Sequence, residues 1–173
     1  MFSNAALQWV PRHGHLFARL AAGIAPGGQL AVQVPANHDH PSHLTAHELA
    51  AREPYRAELG GYVRQVPVLE PESYASLLYQ LGFERQSVRL QVYAHVLGSR
   101  DDVVEWVRGT LLTDYEQRMA PETFARFLVE YRALLATRLG PEQPYFYPFK
   151  RILMWARKSA NPGDSSPPEG PPR

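Results

Sequence analysis

Four histidines crowd the stretch "NHDHPSHLTAH": His38, His40, His43 and His47. Imidazoles at such density suit metal ligation, proton transfer or hydrogen bonding to an anion. His43 and His47 are four residues apart, a spacing that sets two rings on one face of a helix. No H-E-x-x-H arrangement accompanies them, and the chain has no cysteine, so no metal is expected. The plain expectation is solvated histidines at a loop–helix junction. A second candidate region is the opening "MFSNAALQW", which reads as the end of a buried strand turning into an exposed polar and aromatic edge. Loops at strand ends are where α/β proteins collect binding groups. A third is the set of cations and hydroxyls later in the chain, Arg108, Tyr115 and Arg151. The absence of cysteine excludes a thiolate nucleophile and a disulfide framework. No G-x-G-x-x-G is present, since Gly27-Gly28 follows a helix and Gly60-Gly61 lies in a loop.

Hydrophobic spacing supplies the elements that must hold these residues. "GHLFARLAAGIA" (14–25) places Leu16, Phe17, Leu20, Ala21 and Ile24 at helical period, and Pro26-Gly27-Gly28 should end it. "QLAVQVP" then alternates, with Leu30, Val32 and Val34 on one face, as a strand does. Residues 42–59 read as one helix with Leu44, Ala46, Leu49 and Ala50 inward, and 60–69 as a loop. The stretch from Pro71 to Leu81 is a helix striped by Tyr74, Leu77, Leu78 and Leu81, with Gly82 at C′. "FERQSVRLQVYAHVL" is a strand with Val88, Leu90, Val92 and Ala94 sharing a face. Ser99 and Asp102 resemble a capping box before a helix carrying Val103, Val104, Trp106, Val107 and Leu111. Trp106, Phe124, Phe127 and Tyr131 are expected to be packing residues of these later helices. Pro121 opens another long helix, which should stop at Gly140-Pro141, and "YFYPFKRILMWARK" is the final strand. Helix, strand, two helices, strand, two helices, strand is the order of an α/β protein, with the last two strands paired.

The chain has 173 residues, 45% of them hydrophobic and 20% charged, which suits one globular domain over 1–158. The Pro-, Gly- and Ser-rich tail, 159–173, is expected to be disordered. Eighteen Lys and Arg against 17 Asp and Glu leave a charge of +1, with the signs interspersed. Neither a nucleic acid nor a membrane is therefore an expected partner. No run approaches membrane-spanning length and no basic n-region precedes an apolar h-region, so the default location is cytoplasmic.

Four stretches carry a family resemblance over residues 2–158: "FSNAALQW", "IAPGGQLAVQVP", "NHDHPSH" and "FKRILMWARK". Together they resemble the later part of class I S-adenosylmethionine-dependent methyltransferases, and most closely the trans-aconitate methyltransferase group. The resemblance implies a partial Rossmann-like fold. Phe2-Ser3-Asn4 would end strand 4, Leu30–Val34 would be strand 5, Val88–Val92 strand 6 and Ile152–Ala156 strand 7. The expected sheet order is 4-5-7-6, with helical cap insertions. It further implies that Asn4, Ala5, Gln8 and Trp9 lie beside the methionine end of the cofactor S-adenosylmethionine. Asn37, His43, Arg108, Tyr115 and Arg151 become candidates for holding a small carboxylic acid substrate.

Each has a bland counterpart. Trp9 could be packing at a strand–helix junction, His43 a cap, Arg108 and Tyr115 parts of an exposed helix face, and Arg151 a solvated charge at the sheet edge. The bland reading is the expected one for the last three. The resemblance also implies the reaction, formation of a monomethyl ester on trans-aconitate or a similar acid, for which no catalytic base is needed. The family's glycine-rich cofactor loop and the acidic residue after strand 2 both precede strand 4 and are not in this chain. The expectation is a fragment whose 173 residues are inactive alone and bind no S-adenosylmethionine measurably up to millimolar concentration. Two further expectations follow: that Met1 is an internal start, or that the chain is a non-catalytic remnant pairing with a partner or itself through an uncovered sheet edge.

Overall fold

The computed structural model describes residues 1–160, so all but the first two residues of the expected disordered tail lie outside the described residues. In chain order the elements begin with β1 (Phe2–Asn4), α1 (His13–Ala22), β2 (Gln29–Pro35), α2 (Pro41–Ala50), α3 (Tyr55–Glu58) and α4 (Pro71–Gln80). They continue with β3 (Phe83–Leu97), α5 (Asp101–Val107), a π-helical turn (Arg108–Leu112), α6 (Thr113–Glu116), α7 (Pro121–Arg138) and β4 (Tyr145–Lys158). Contacts divide the chain into two units. The first comprises Met1–Ala36, Val66–Tyr93 and the segment from Lys150; the second comprises Asn37–Gln65 and Ala94–Phe149.

The sheet has four strands in the order β1-β2-β4-β3, which is the expected 4-5-7-6. β1 and β2 run parallel, and β2 and β4 antiparallel. In the first unit the register pairs Leu30 with Ala156, Val32 with Met154, and Val34 with Ile152. All six side chains are buried on one face, because alternate residues of a strand point the same way. Phe17, Ala21 and Ile24 from α1 and Tyr74 and Leu78 from α4 cover that face. Gly28 closes the turn between α1 and β2; a Cβ there would stand 2.8 Å from both Ala25 O and Ile24 Cγ2. Gly82 ends α4 at φ +77°, the left-handed conformation that glycine adopts without steric cost.

The second unit is helical apart from the outer residues of β3 and β4. α7 starts with Pro121 in its first turn, where a missing N–H costs nothing. Its Phe124, Phe127, Tyr131 and Leu135 form a stripe at i, i+3, i+7 and i+11. That stripe packs with Leu49, Tyr55, Val104, Leu111, Tyr115 and other residues into one core.

Several expectations need correction. The single helix over 42–59 is two, because Pro54 has no N–H to donate and restricts Glu53 before it. Leu44 faces outward on α2, whose buried residues are Ser42, Thr45, Ala46, Leu49 and Ala50. Leu90, Val92 and Ala94 are exposed: β3 is an edge strand, and among the described residues its middle is left uncovered. The helix after Ser99 stops at Val107 and passes through the π turn before α6. Only one limb of the capping box forms there, with Ser99 N–H donating to Asp102 Oδ2 at 2.9 Å. Trp106 is 40% exposed rather than a core residue, although its ring meets those of His95, Tyr147 and Phe149.

Candidate functional site

The turn after β1 carries the first group of candidates. Ala5 has a positive φ of 49°, uncommon for a residue with a Cβ, and its N–H donates to Gln33 O at 2.9 Å. The turn Leu7–Trp9 follows, with Gln8 Nε2 donating to Ala5 O at 2.8 Å. Asn4 and Ala5 are exposed, Trp9 is 57% exposed and Gln8 is half-buried. Behind them stands a buried chain of hydrogen bonds that the sequence reading missed. Leu69 N–H donates to Tyr74 Oη at 3.2 Å, and that hydroxyl bonds His13 Nδ1. His13 Nε2 reaches Leu7 O at 3.0 Å. A carbonyl only accepts, so His13 carries its proton on Nε2, and Tyr74 O–H donates to Nδ1.

Burial holds His13 below the ordinary imidazole range, against the raising effect of its backbone bonds. Burial also pushes the Tyr74 hydroxyl up to about 12. The pair is therefore neutral and its protons have one consistent direction. Tyr74→Phe strands His13 Nδ1 and the Leu69 N–H together. A loss of about 1–3 kcal/mol in urea unfolding is expected; an unchanged midpoint would show the chain of bonds to be incidental.

The second unit holds a denser cluster. His40 is the N-cap of α2, its Nδ1 accepting from Ser42 N–H at 3.2 Å. Ser42 Oγ lies 2.9 Å from that nitrogen and 3.2 Å from His43 Nδ1. One turn later, His47 Nδ1 is 3.0 Å from Tyr115 Oη. Arg64, 18% exposed, donates to Leu111 O at 3.2 Å and lies 3.7 Å from Asp114. Asp114 also accepts from Tyr62 Oη at 2.5 Å and from Arg118 Nε at 3.1 Å. Burial works to raise the Asp114 carboxyl, but these bonds and cations outweigh it and leave it below its usual value.

The histidines shift the other way. Burial, then His40, Arg64, His47 and His38, lowers His43 to about 3. Burial and then Arg64 lower His47. Burial raises Tyr115, which stays a phenol. Both Nδ1 atoms are engaged, whereas the Nε2 of His43 and of His47 meets no partner among the described residues and is not sealed from solvent. The cluster thus presents two neutral rings and a guanidinium, an arrangement suited to carboxylate groups.

Of the sequence candidates, His43 and Tyr115 enter this cluster. Asn37 is buried and donates to Pro148 O at 3.4 Å. Arg108 stays outside it, exposed and 3.8 Å from Glu105 one turn back. Two expectations are overturned. Tyr115 is not on an exposed face, because its ring packs on Phe127 at 5.5 Å between centroids. The histidines are not solvated as a group: His40 is buried, and His43 and His47 are half-buried. In the first unit Arg151 lies on β4, an interior strand, so it is not an edge charge. It donates to Gln33 Oε1 at 2.8 Å and stands over the Tyr93 ring at 5.5 Å. Arg64 is the cluster member that the sequence did not single out; His47 stands out there only for its spacing from His43. Arg64's only signal was a cation in a loop just after Gly60-Gly61. Among the described residues no group of three or more His, Asp or Glu is placed to hold a metal, and no helix is long and apolar enough to cross a membrane.

The class these features define is an α/β protein with a four-stranded mixed sheet and a helical second unit. The chain is similar to proteins named trans-aconitate 2-methyltransferase. It is 45% identical to that of Deinococcus radiodurans over 166 residues, covering 91% of this chain and 62% of the relative. Identity to the Streptomyces coelicolor protein is 40% over 168 residues, covering 94% and 55%. For Methylobacterium nodulans it is 36% over 162 residues, covering 92% and 62%. The chain therefore spans between 55 and 62% of the length of these relatives.

No family model matches. Solved structures similar to it include the YcgJ protein of Bacillus subtilis (14% identity, TM-score 0.47, 91% of this chain and 62% of that one). Another is the Haemonchus contortus phosphoethanolamine N-methyltransferase 2 bound to S-adenosylhomocysteine (12%, 0.42, 91% and 32%).

Proposed function

We propose that this chain supplies the acceptor-binding portion of an S-adenosylmethionine-dependent O-methyltransferase that esterifies one carboxylate of trans-aconitate or a similar small polycarboxylic acid. The observation that carries the reading is the cluster of Arg64, His43, His47 and Tyr115 in the second unit, in a chain similar to trans-aconitate 2-methyltransferases.

A carboxylate is ionised at neutral pH, so the reaction asks for no general base. It asks for orientation, for hydrogen bonds to the carboxylates that do not react, and for exclusion of water. Arg64 offers a planar donor to one carboxylate, and each histidine offers Nε2, as donor when that nitrogen carries the proton. S-adenosylmethionine, when bound, supplies the electrophilic methyl group. In the first unit the exposed Asn4, the Ala5 turn, Gln8 and Trp9 fit the methionine end of such a molecule. The His13–Tyr74 chain holds that turn in place. In this proposal these residues make one wall of the cofactor site.

The test is calorimetric titration of the chain with trans-aconitate. Arg64→Gln is expected to weaken binding about thirtyfold or more, the cost of removing a half-buried charged partner. Equal affinity in the variant, with its unfolding midpoint unchanged, would remove Arg64 and this reading of the cluster.

A further inference from the structure

The geometry points to His47 as a proton-accepting contact: we propose that a polycarboxylate enters the second unit's cluster together with one proton, which His47 holds while the ligand is bound. The proposal rests on the reading of that cluster as a carboxylate site.

The electrostatics of the cluster explain why a proton should come with the ligand. The hydroxyl of Tyr115 in α6 lies 3.0 Å from His47 Nδ1, the neighbouring Asp114 lies 3.7 Å from Arg64, and the Arg64 charge acts on both His43 and His47. Burial first, and then the Arg64 charge, disfavour an imidazolium at His47, so the ring stays neutral. Among the charged groups of α2 and of the elements packed on it, Glu48 pairs with Arg52, Glu58 of α3 accepts from Ala120 N–H, and Glu105 of α5 pairs with Arg132. Arg138 of α7 bonds Thr45 Oγ1 and Glu48 Oε2 on the far side of the helix, and Tyr131 O–H caps Ser42 O. Asp114 of α6 is shared among Tyr62, Arg118 and Arg64. His38 and His40 add no negative charge.

A ligand carrying two or three carboxylates reverses the sign of the field at His47 Nε2. An opposite charge within a few ångströms raises a titrating group by about 1–3 pH units. His47 is better placed than His43 to use this. His43 is lowered to about 3, further than one ligand is expected to reverse, and acts as a neutral contact. The Nδ1 of His47 meets a hydroxyl, and a hydroxyl serves either protonation state: it donates to the neutral ring and accepts from the cation. The phenol keeps its proton throughout, since burial raises it. His47 would then read ligand charge, since an uncharged ester or amide of the same shape supplies no field to protonate it.

The experiment is titration of the full chain with trans-aconitate at about pH 7 to 8, in buffers of different ionisation enthalpy. The ligand's carboxylates are fully ionised there, so any proton is taken up by the protein. Uptake approaching one proton is expected, with affinity rising up to about tenfold per pH unit lowered. In His47→Gln the uptake should vanish while weaker binding remains; in His43→Gln it should persist. The ¹⁵N shifts of the His47 ring should move to the imidazolium position on saturation. Binding without proton uptake overturns this inference and leaves the carboxylate site standing. Uptake that survives in His47→Gln overturns the assignment to His47. No binding at all overturns the site reading, and this inference with it.

Discussion

Phe127→Ala is expected to destabilise the chain by about 3–5 kcal/mol in urea unfolding, the range for deleting a fully buried ring. Phe127 is completely buried, and its ring centre lies 5.1 Å from that of Tyr55 and 5.5 Å from that of Tyr115. Phe124 and Tyr131 stack at 6.3 and 6.4 Å along the same helix. Truncation would leave a void bounded by stiff aromatic rings that cannot collapse into it, so the upper part of the range is expected. The effect should reach the cluster as well, because Tyr115 leans on Phe127 and in turn engages His47. A loss below about 1 kcal/mol would mean that this aromatic stack is not the core of its unit.

Acid should weaken the fold before any carboxylate titrates. His43 is lowered to about 3 from an ordinary value of 6.5, chiefly by burial. Below 6.5 the unfolded chain binds a proton at this residue that the native chain refuses, so stability falls as pH falls. From about pH 7.5 to about pH 5 the loss from His43 alone is about 2 kcal/mol. His13 and His47 are lowered too and act with the same sign. The lowered carboxyls of Asp114, Glu48 and Glu58 lose their contribution only below the ordinary carboxylate range, outside this window. His43→Gln should flatten the slope of unfolding free energy against pH over that interval. A slope equal to that of the parent chain would show that His43 takes up its proton in the folded state as readily as in the unfolded one.

Much of the sheet was legible because alternation and burial go together. Leu30, Val32 and Val34 could only be one face of a strand, and the paired residues of β4 match them. The helix stripes of α4 and α7 were legible for the same reason. Arg64 of the candidate cluster and the buried His13 were not. Arg64 lies in a stretch without periodicity, and its partner Leu111 is 47 residues away, so only tertiary structure brings them together. His13 opens a helix and looks like any polar first residue, yet Tyr74, 61 residues on, makes it a buried acceptor. The break at Pro54 was present in the sequence, but the apolar spacing on both sides masked it. The wide turn after Val107 left no sign at all, because Val103, Val104, Val107 and Leu111 suit an unbroken helix.

That wide turn has a consequence for how the cluster is aimed. A π turn is an α-helix that has absorbed one residue too many, and each residue of an α-helix advances the direction of its side chain by about 100°. Everything after Leu112 is therefore rotated, by that one surplus residue, from the heading a plain continuation of α5 would have. The rotation turns Tyr115 toward His47 and Asp114 toward Tyr62 and Arg64. Leu111 O, inside the widened ring, meets Arg64 instead of only an N–H of its own helix. The chemistry of the cluster is thus set by a count: five residues, Arg108 to Leu112, fix the compass bearing of α6.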